Sequence, residues 1–104
     1  MEKAARYKIV VSDRARHMLT LHLQFLARTS PRAARRIKKN IMDAVYSLEE
    51  MPERFPFIAA EFLPSNKYHK LFVQSWYLVL YQIKERTVYV DYIVDCRQDY
   101  EWLV

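Results

Sequence analysis

The residues with the clearest capacity for chemistry stand together near the end of the sequence, just after its last predicted strand. They are Arg97, Gln98, Asp99 and Tyr100. The guanidinium of Arg97 can bind a phosphate through two parallel hydrogen bonds. The phenol of Tyr100 can stack on a nucleobase or donate a proton to a leaving oxygen. The structural alternative is that Arg97 pairs with Asp95 or Asp99 and only fixes the chain end.

A second candidate group lies at an earlier predicted strand. His69 can act as a general base or hold a phosphate, and Lys70 next to it adds a positive charge. The alternative is that His69 is an ordinary packed or solvated side chain. His17 and His22 are five residues apart and point away from each other on a helix, so no metal site is predicted.

The composition excludes several classes of protein. Glycine is absent, which excludes the glycine-rich phosphate loops of nucleotide-binding folds, and no cofactor is predicted. The single cysteine, Cys96, excludes an internal disulfide and a Cys-rich zinc site. The net charge of +5 favours nucleic acid, an acidic protein segment or simple solubility.

The length and hydropathy of the chain indicate one small domain. A chain of 104 residues fits a single domain over residues 1–104. The sequence holds no run of 18 apolar residues that would span a membrane. The apolar run at residues 9–11 is too short for a signal peptide. We therefore expect a cytoplasmic protein.

Two helices are predicted in the first half of the sequence. Ser12 can cap a helix over residues 13–28, and Ser30 with Pro31 starts a second helix that ends before Pro52. The stripe predicted to face inward from the first helix is Ala15, Met18, Leu19, His22, Phe25 and Leu26. The minimal break between the helices indicates a helical hairpin.

Strand patterns flank this hairpin. Strands are predicted over residues 7–11, 70–74, 76–83 and 87–95. The turn at residues 84–86 lacks Asn-Gly, so we expect a loop based on a type I turn. The order predicts an α+β fold of the form β-α-α-β-β-β. In this fold a small, mostly antiparallel four-stranded sheet packs on the N-terminal helical hairpin.

Alternation in the strand over residues 76–83 assigns its side chains to two faces. Tyr77, Val79, Tyr81 and Ile83 are predicted to face the helices, and Leu78, Leu80 and Gln82 to face away from them. An apolar patch on the second face would mark a site for a partner, with Gln82 and Arg86 at its polar edge. The alternative is that the long connection over residues 51–66 covers this face.

The second helix carries many positive charges. Its predicted outward face contains Arg32, Arg35, Arg36, Lys38 and Lys39. Such a face can bind nucleic acid, and the alternative is a charged face that is merely solvated.

Several of these segments, in this order and spacing, resemble one known superfamily. They are "YKIVVSDRA" before the first helix, "SPRAARRI" opening the second, "MPERFP" after it, the strand "YLVLYQI" and the ending "VDCRQDY". Over nearly its whole length the chain resembles the RelE/ParE superfamily, also known as plasmid stabilization proteins, which are the toxins of bacterial type II toxin–antitoxin systems. The resemblance implies the fold predicted above, growth arrest by the free toxin, and silencing by a cognate antitoxin that wraps it with a helix and an extended segment.

The superfamily divides by target. In the RelE-like branch, which cleaves ribosome-bound mRNA without a metal, Arg97 matches the C-terminal arginine. Tyr100 lies near the family tyrosine, and His69 and Lys70 lie near basic strand positions. Leu78 stands where that branch has an arginine.

The ParE-like branch inhibits DNA gyrase and is not an enzyme, and "YLVLYQI" is similar to its strand. The resemblance therefore favours gyrase inhibition, with mRNA cleavage and a non-toxic interaction module of the same fold as alternatives. The residues expected to bind the antitoxin or the target are Leu78, Leu80, Gln82 and Arg86.

Overall fold

A computed structural model describes residues 6–59, 63–74 and 76–96. It contains four strands, two α-helices and two short 3₁₀ turns. In chain order these are β1 (Lys8–Val11), α1 (Asp13–Ala27), α2 (Pro31–Tyr46), the 3₁₀ turns Ser47–Glu49 and Pro52–Arg54, β2 (His69–Val73), β3 (Tyr77–Lys84) and β4 (Thr87–Asp95). The predicted order of elements is confirmed, with small shifts at their ends.

Local side-chain chemistry starts both helices. The Ser12 hydroxyl accepts a hydrogen bond from the Ala15 amide at 3.0 Å, and the Ser30 hydroxyl accepts one from the Ala33 amide at 3.1 Å. Each bond satisfies one of the amides that a helix N-terminus leaves unpaired. Pro31 occupies the start of α2, where its missing N–H costs nothing. The predicted helix starts are therefore confirmed.

The four strands form one mixed sheet in the order β1-β4-β3-β2. β1 runs parallel to β4, whereas β2–β3 and β3–β4 are antiparallel hairpin pairs. The fold class is thus confirmed as α+β, with one parallel pair in an otherwise antiparallel sheet. β1 pairs only with residues 87–90 of β4, so the second half of β4 extends past it.

The main core lies between the helices and one face of the sheet, here called the inner face. Tyr77, Val79 and Tyr81 of β3 are buried there, with Ile41 and Val45 of α2. The inward assignment of these β3 side chains is confirmed. The Tyr81 hydroxyl donates a 2.6 Å hydrogen bond to the Pro52 carbonyl, and burial raises the pKa of this tyrosine.

The turn between β3 and β4 differs from its prediction. Lys84 pairs with Thr87, so Glu85 and Arg86 alone form the loop. Glu85 has a φ of 58°, whereas the first central residue of a type I turn has a φ of about −60°. The type I prediction is wrong because a two-residue loop must follow the right-handed twist of the strands, which primed turns do.

Candidate partner-binding surface

The face of the sheet turned away from the helices, here called the outer face, is not an open apolar patch. Leu78 is 3% exposed and Leu80 is fully buried. Tyr68, Ile58 and Leu63 pack against them in a second hydrophobic cluster. The prediction that Leu78 and Leu80 form an exposed patch is wrong, and the alternative that the long connection covers this face is confirmed.

Backbone hydrogen bonds hold the connection on the sheet. The Ile58 amide donates to the Tyr68 carbonyl at 2.8 Å, and the Lys70 amide donates to the Pro56 carbonyl at 2.8 Å. Phe57 forms an isolated antiparallel bridge with His69. This segment therefore acts as a partial fifth strand along the first half of β2, which the proline-rich sequence did not indicate.

Gln82 lies on the outer face within a polar network centred on Asp91. The Gln82 side-chain amide donates to Asp91 Oδ2 at 2.8 Å, and the Tyr68 hydroxyl donates to the same oxygen at 3.0 Å. Burial, and then the bond to Asp91, raises the pKa of Tyr68 to about 12. Asp91 lies at a register shift opposite Leu80 and Tyr81. Such a bulge changes the direction in which the side chain points. No sequence motif indicated this network.

Two cations flank the aromatic part of this network. The Arg14 guanidinium lies 4.7 Å from the centroid of the Tyr92 ring, and the Lys67 ammonium lies 5.4 Å from that of Tyr68. The Tyr68 and Tyr92 rings meet edge to face at 5.8 Å. Because each ring already contacts a cation and a second ring, the network chiefly fastens α1 and the connection to the sheet.

His69, the predicted general base, is a packed side chain. It is 8% exposed and belongs to the inner face, opposite Tyr81 in register. Its ring stacks on Phe57 at 4.1 Å and on Tyr81 at 5.2 Å. Its Nδ1 lies 2.7 Å from the Phe55 carbonyl, so the N–H is on Nδ1 and donates. Both faces of its ring are covered by other aromatic rings, which disfavours direct contact with a substrate, and a catalytic role for His69 stays a prediction.

The predicted site residues that the structure describes do not join His69. Lys70 is opposite Leu80 in register, on the outer face, so it and His69 point to opposite sides of the sheet. The Arg86 guanidinium lies 4.8 Å from the centroid of the Tyr7 ring, at the β3–β4 turn. Arg97 and Tyr100 lie outside the described residues, and their roles stay predictions.

A groove lies between α1 and the second half of β4. Its volume is about 440 Å³. It is lined by Met18, Leu21, His22, Phe25, Ile93, Val94 and Asp95. Leu21 is 53% exposed and Phe25 is 63% exposed, so the prediction that Phe25 faces the core is wrong. Among the residues that the structure describes, β1 pairs with β4 only as far as Val90, and Phe25 lies beside the part of β4 that follows.

A polar cluster forms one wall of the groove. His22 Nε2 lies 3.0 Å from the Tyr77 hydroxyl and 3.8 Å from Asp95 Oδ2. The His22 and Asp95 side chains are 13% and 7% exposed, so the cluster is largely shielded from water. It ties α1 to the ends of β3 and β4 and holds the groove in shape. Sequence reasoning missed it because these residues come from three separate elements.

Two further observations limit what this surface can do. Across residues 6–59, 63–74 and 76–96, no group of three or more His, Cys, Asp or Glu side chains is arranged to hold a metal ion. Within the same ranges, no helix has the length and apolarity needed to cross a bilayer.

Together, these features describe a small α+β protein with an apolar groove between α1 and β4. Comparison with known proteins gives the family. The family model described as ParE toxin of type II toxin-antitoxin system, parDE, matches residues 9–100. The chain therefore belongs to the ParE toxin family.

Solved structures agree with this assignment at the level of fold. A chain from the chromosomal ParDE toxin–antitoxin system of P. aeruginosa is similar, with a TM-score of 0.71 and 13% sequence identity. The match covers 88% of this chain and 98% of that one. A search of curated proteins gives no match.

Proposed function

We propose that this chain is a growth-arresting toxin that binds and inhibits DNA gyrase in the cytoplasm, and that a cognate antitoxin silences it. Membership of the ParE family supports the toxin role. The observation that carries the choice of target is the position of His69, which is buried under Phe57 on the face opposite Lys70. General acid–base cleavage of RNA needs such groups within reach of one phosphate. Inhibition by binding needs no such cluster.

The groove between α1 and β4 is the proposed dock for an apolar helix face of the antitoxin. Leu21 and Phe25 are each more than half exposed, and complete burial of such a side chain is worth about 1.5–3 kcal/mol. Covering their exposed parts would contribute about 1–2 kcal/mol each. The net charge of +5 favours approach by an acidic partner.

Two assays on the same protein test the target. Purified chain is added to gyrase and relaxed plasmid, and we expect supercoiling to stop at saturating toxin. In parallel, the chain is induced in bacterial cells and the 5′ ends of cellular mRNA are mapped, with no new ends expected inside translated codons.

The possible outcomes separate the three readings. New ends within codons, with gyrase fully active, would overturn the proposal and favour a ribosome-dependent mRNA endonuclease. Arg97, Tyr100 and Lys70 would then be the first residues to replace. Normal growth with neither effect would favour a non-toxic interaction module.

A further inference from the structure

The exposed side of α2 carries an unusual concentration of positive charge. Five cations occupy two turns of the helix, and all five are exposed. This basic face of α2 consists of Arg32, Arg35, Arg36, Lys38 and Lys39. At 100° per residue, four of the five fall within an arc of about 100°, and Lys38 lies beside that arc. The arc is opposite the buried stripe that contains Ala34, Ile41 and Val45.

Acidic side chains leave most of this charge uncompensated. Lys39 pairs with Asp43 at 2.8 Å, and this contact raises the pKa of Lys39. Among the residues that the structure describes, no carboxylate lies within ion-pair distance of Arg32, Arg35 or Arg36. Like charges three and four residues apart on a helix face destabilise the helix. Arg32 also lies in the first turn, where the helix dipole disfavours a cation.

This arrangement lowers the stability of α2, and a negatively charged ligand that neutralises the clustered cations would offset that loss. We propose that the basic face of α2 binds the phosphodiester backbone of duplex nucleic acid. The face spans about 11 Å along the helix axis, and a DNA duplex presents one negative charge per about 1.7 Å of its own axis. Arginine and lysine side chains are among the groups that contact phosphates in such complexes.

Two other occupants fit less well. A membrane surface would need an apolar face free to insert, but the apolar residues of α2 are packed in the core. Arginine is common at protein interfaces, but lysine is depleted there, and a protein partner generally also needs aromatic or aliphatic anchors, which these five basic side chains do not supply. The exposed large apolar side chains of α1, Leu21 and Phe25, line the groove instead. The protein-binding groove and the basic face are therefore separate surfaces on separate helices.

The test measures the binding of labelled duplex DNA to the full chain by fluorescence anisotropy across a salt series. With four phosphate contacts, the slope of log K against log salt is about −3.6. Affinity then falls about 150-fold between about 50 and about 200 mM salt. A variant with Arg32→Gln, Arg35→Gln and Arg36→Gln keeps about one contact. Its slope should be about −0.9, which is a loss of about fourfold over the same salt range.

The matched control also removes three positive charges, but from residues outside α2. Lys8→Gln, Arg28→Gln and Lys84→Gln change exposed residues on β1, after α1 and at the end of β3. We expect this variant to keep a slope near that of the wild type. Circular dichroism should show that both triple variants keep the wild-type fold, because all six positions are exposed.

The outcomes decide the proposal one way or the other. Steep salt dependence that is lost only in the α2 variant supports the proposal. The same measurement with a duplex RNA of equal length shows whether the face binds both kinds of duplex. Equal losses in both variants would show a diffuse effect of net charge and would overturn it. Absence of binding by the wild type at about 50 mM salt would also overturn the proposal. So would equally tight binding of a polyglutamate peptide, which would show that the face binds any polyanion. The measurement contains no gyrase, so its result is independent of the supercoiling assay.

Discussion

His69 offers the sharpest test of the structure, because the structural and catalytic readings predict opposite results when it is replaced. His69→Ala removes two ring contacts, to Phe57 and Tyr81, and the hydrogen bond to the Phe55 carbonyl. Aromatic pairs are worth about 0.5–1.5 kcal/mol each, and a buried carbonyl left unpaired costs about 1–3 kcal/mol. Phe57 is 42% exposed, so water can recover part of this loss. We expect the free energy of unfolding to fall by about 2–4 kcal/mol.

Urea unfolding followed by circular dichroism measures this change. The matched control is His17→Ala, which replaces an exposed histidine of α1 and should change stability by no more than about 0.5 kcal/mol. His69→Phe separates the two contributions, since it keeps a ring between Phe57 and Tyr81 but loses the hydrogen bond. It should cost about 1–3 kcal/mol. A His69→Ala variant with wild-type stability would refute the packing argument, and lost RNA cleavage in that variant would restore the catalytic reading.

Three further changes test other parts of the structure. Tyr68 has a raised pKa in the folded state, so its contribution to stability is complete below pH 10 and is lost as the pH rises towards about 12. The unfolding free energy should therefore fall more steeply across this pH range in the wild type than in Tyr68→Phe. Parallel curves for the two proteins would contradict this. Leu21→Ser with Phe25→Ser should leave the thermal unfolding midpoint nearly unchanged but make the toxin resistant to its antitoxin in a growth-rescue assay. Met51→Ser, which changes another exposed apolar residue, should be rescued normally. Ser30→Ala removes the cap of α2 and should lower the unfolding free energy in urea by about 1 kcal/mol; no change would show that the cap is dispensable.

The sequence alone determined the features that depend on neighbouring residues. Ser12, Ser30 and Pro31 start the helices through contacts a few residues away, so their roles could be predicted from spacing. The alternation in β3 predicted that Tyr77 and Tyr81 face the core, because side chains of a strand alternate between its two faces. The order of the elements then limited the fold to an α+β sheet with a helical hairpin.

Only the tertiary structure decided which surfaces are open. Leu78 and Leu80 follow the alternation, yet they are buried because the connection that precedes β2 bends back and pairs with it. His69 and Lys70 are adjacent in sequence, but the pleat of β2 sends them to opposite faces. Among the described residues, β1 pairs with β4 only as far as Val90, and the groove that contains Phe25 lies beside the part of β4 that follows. Such features depend on the relative lengths and packing of elements far apart in the chain, which no local spacing encodes.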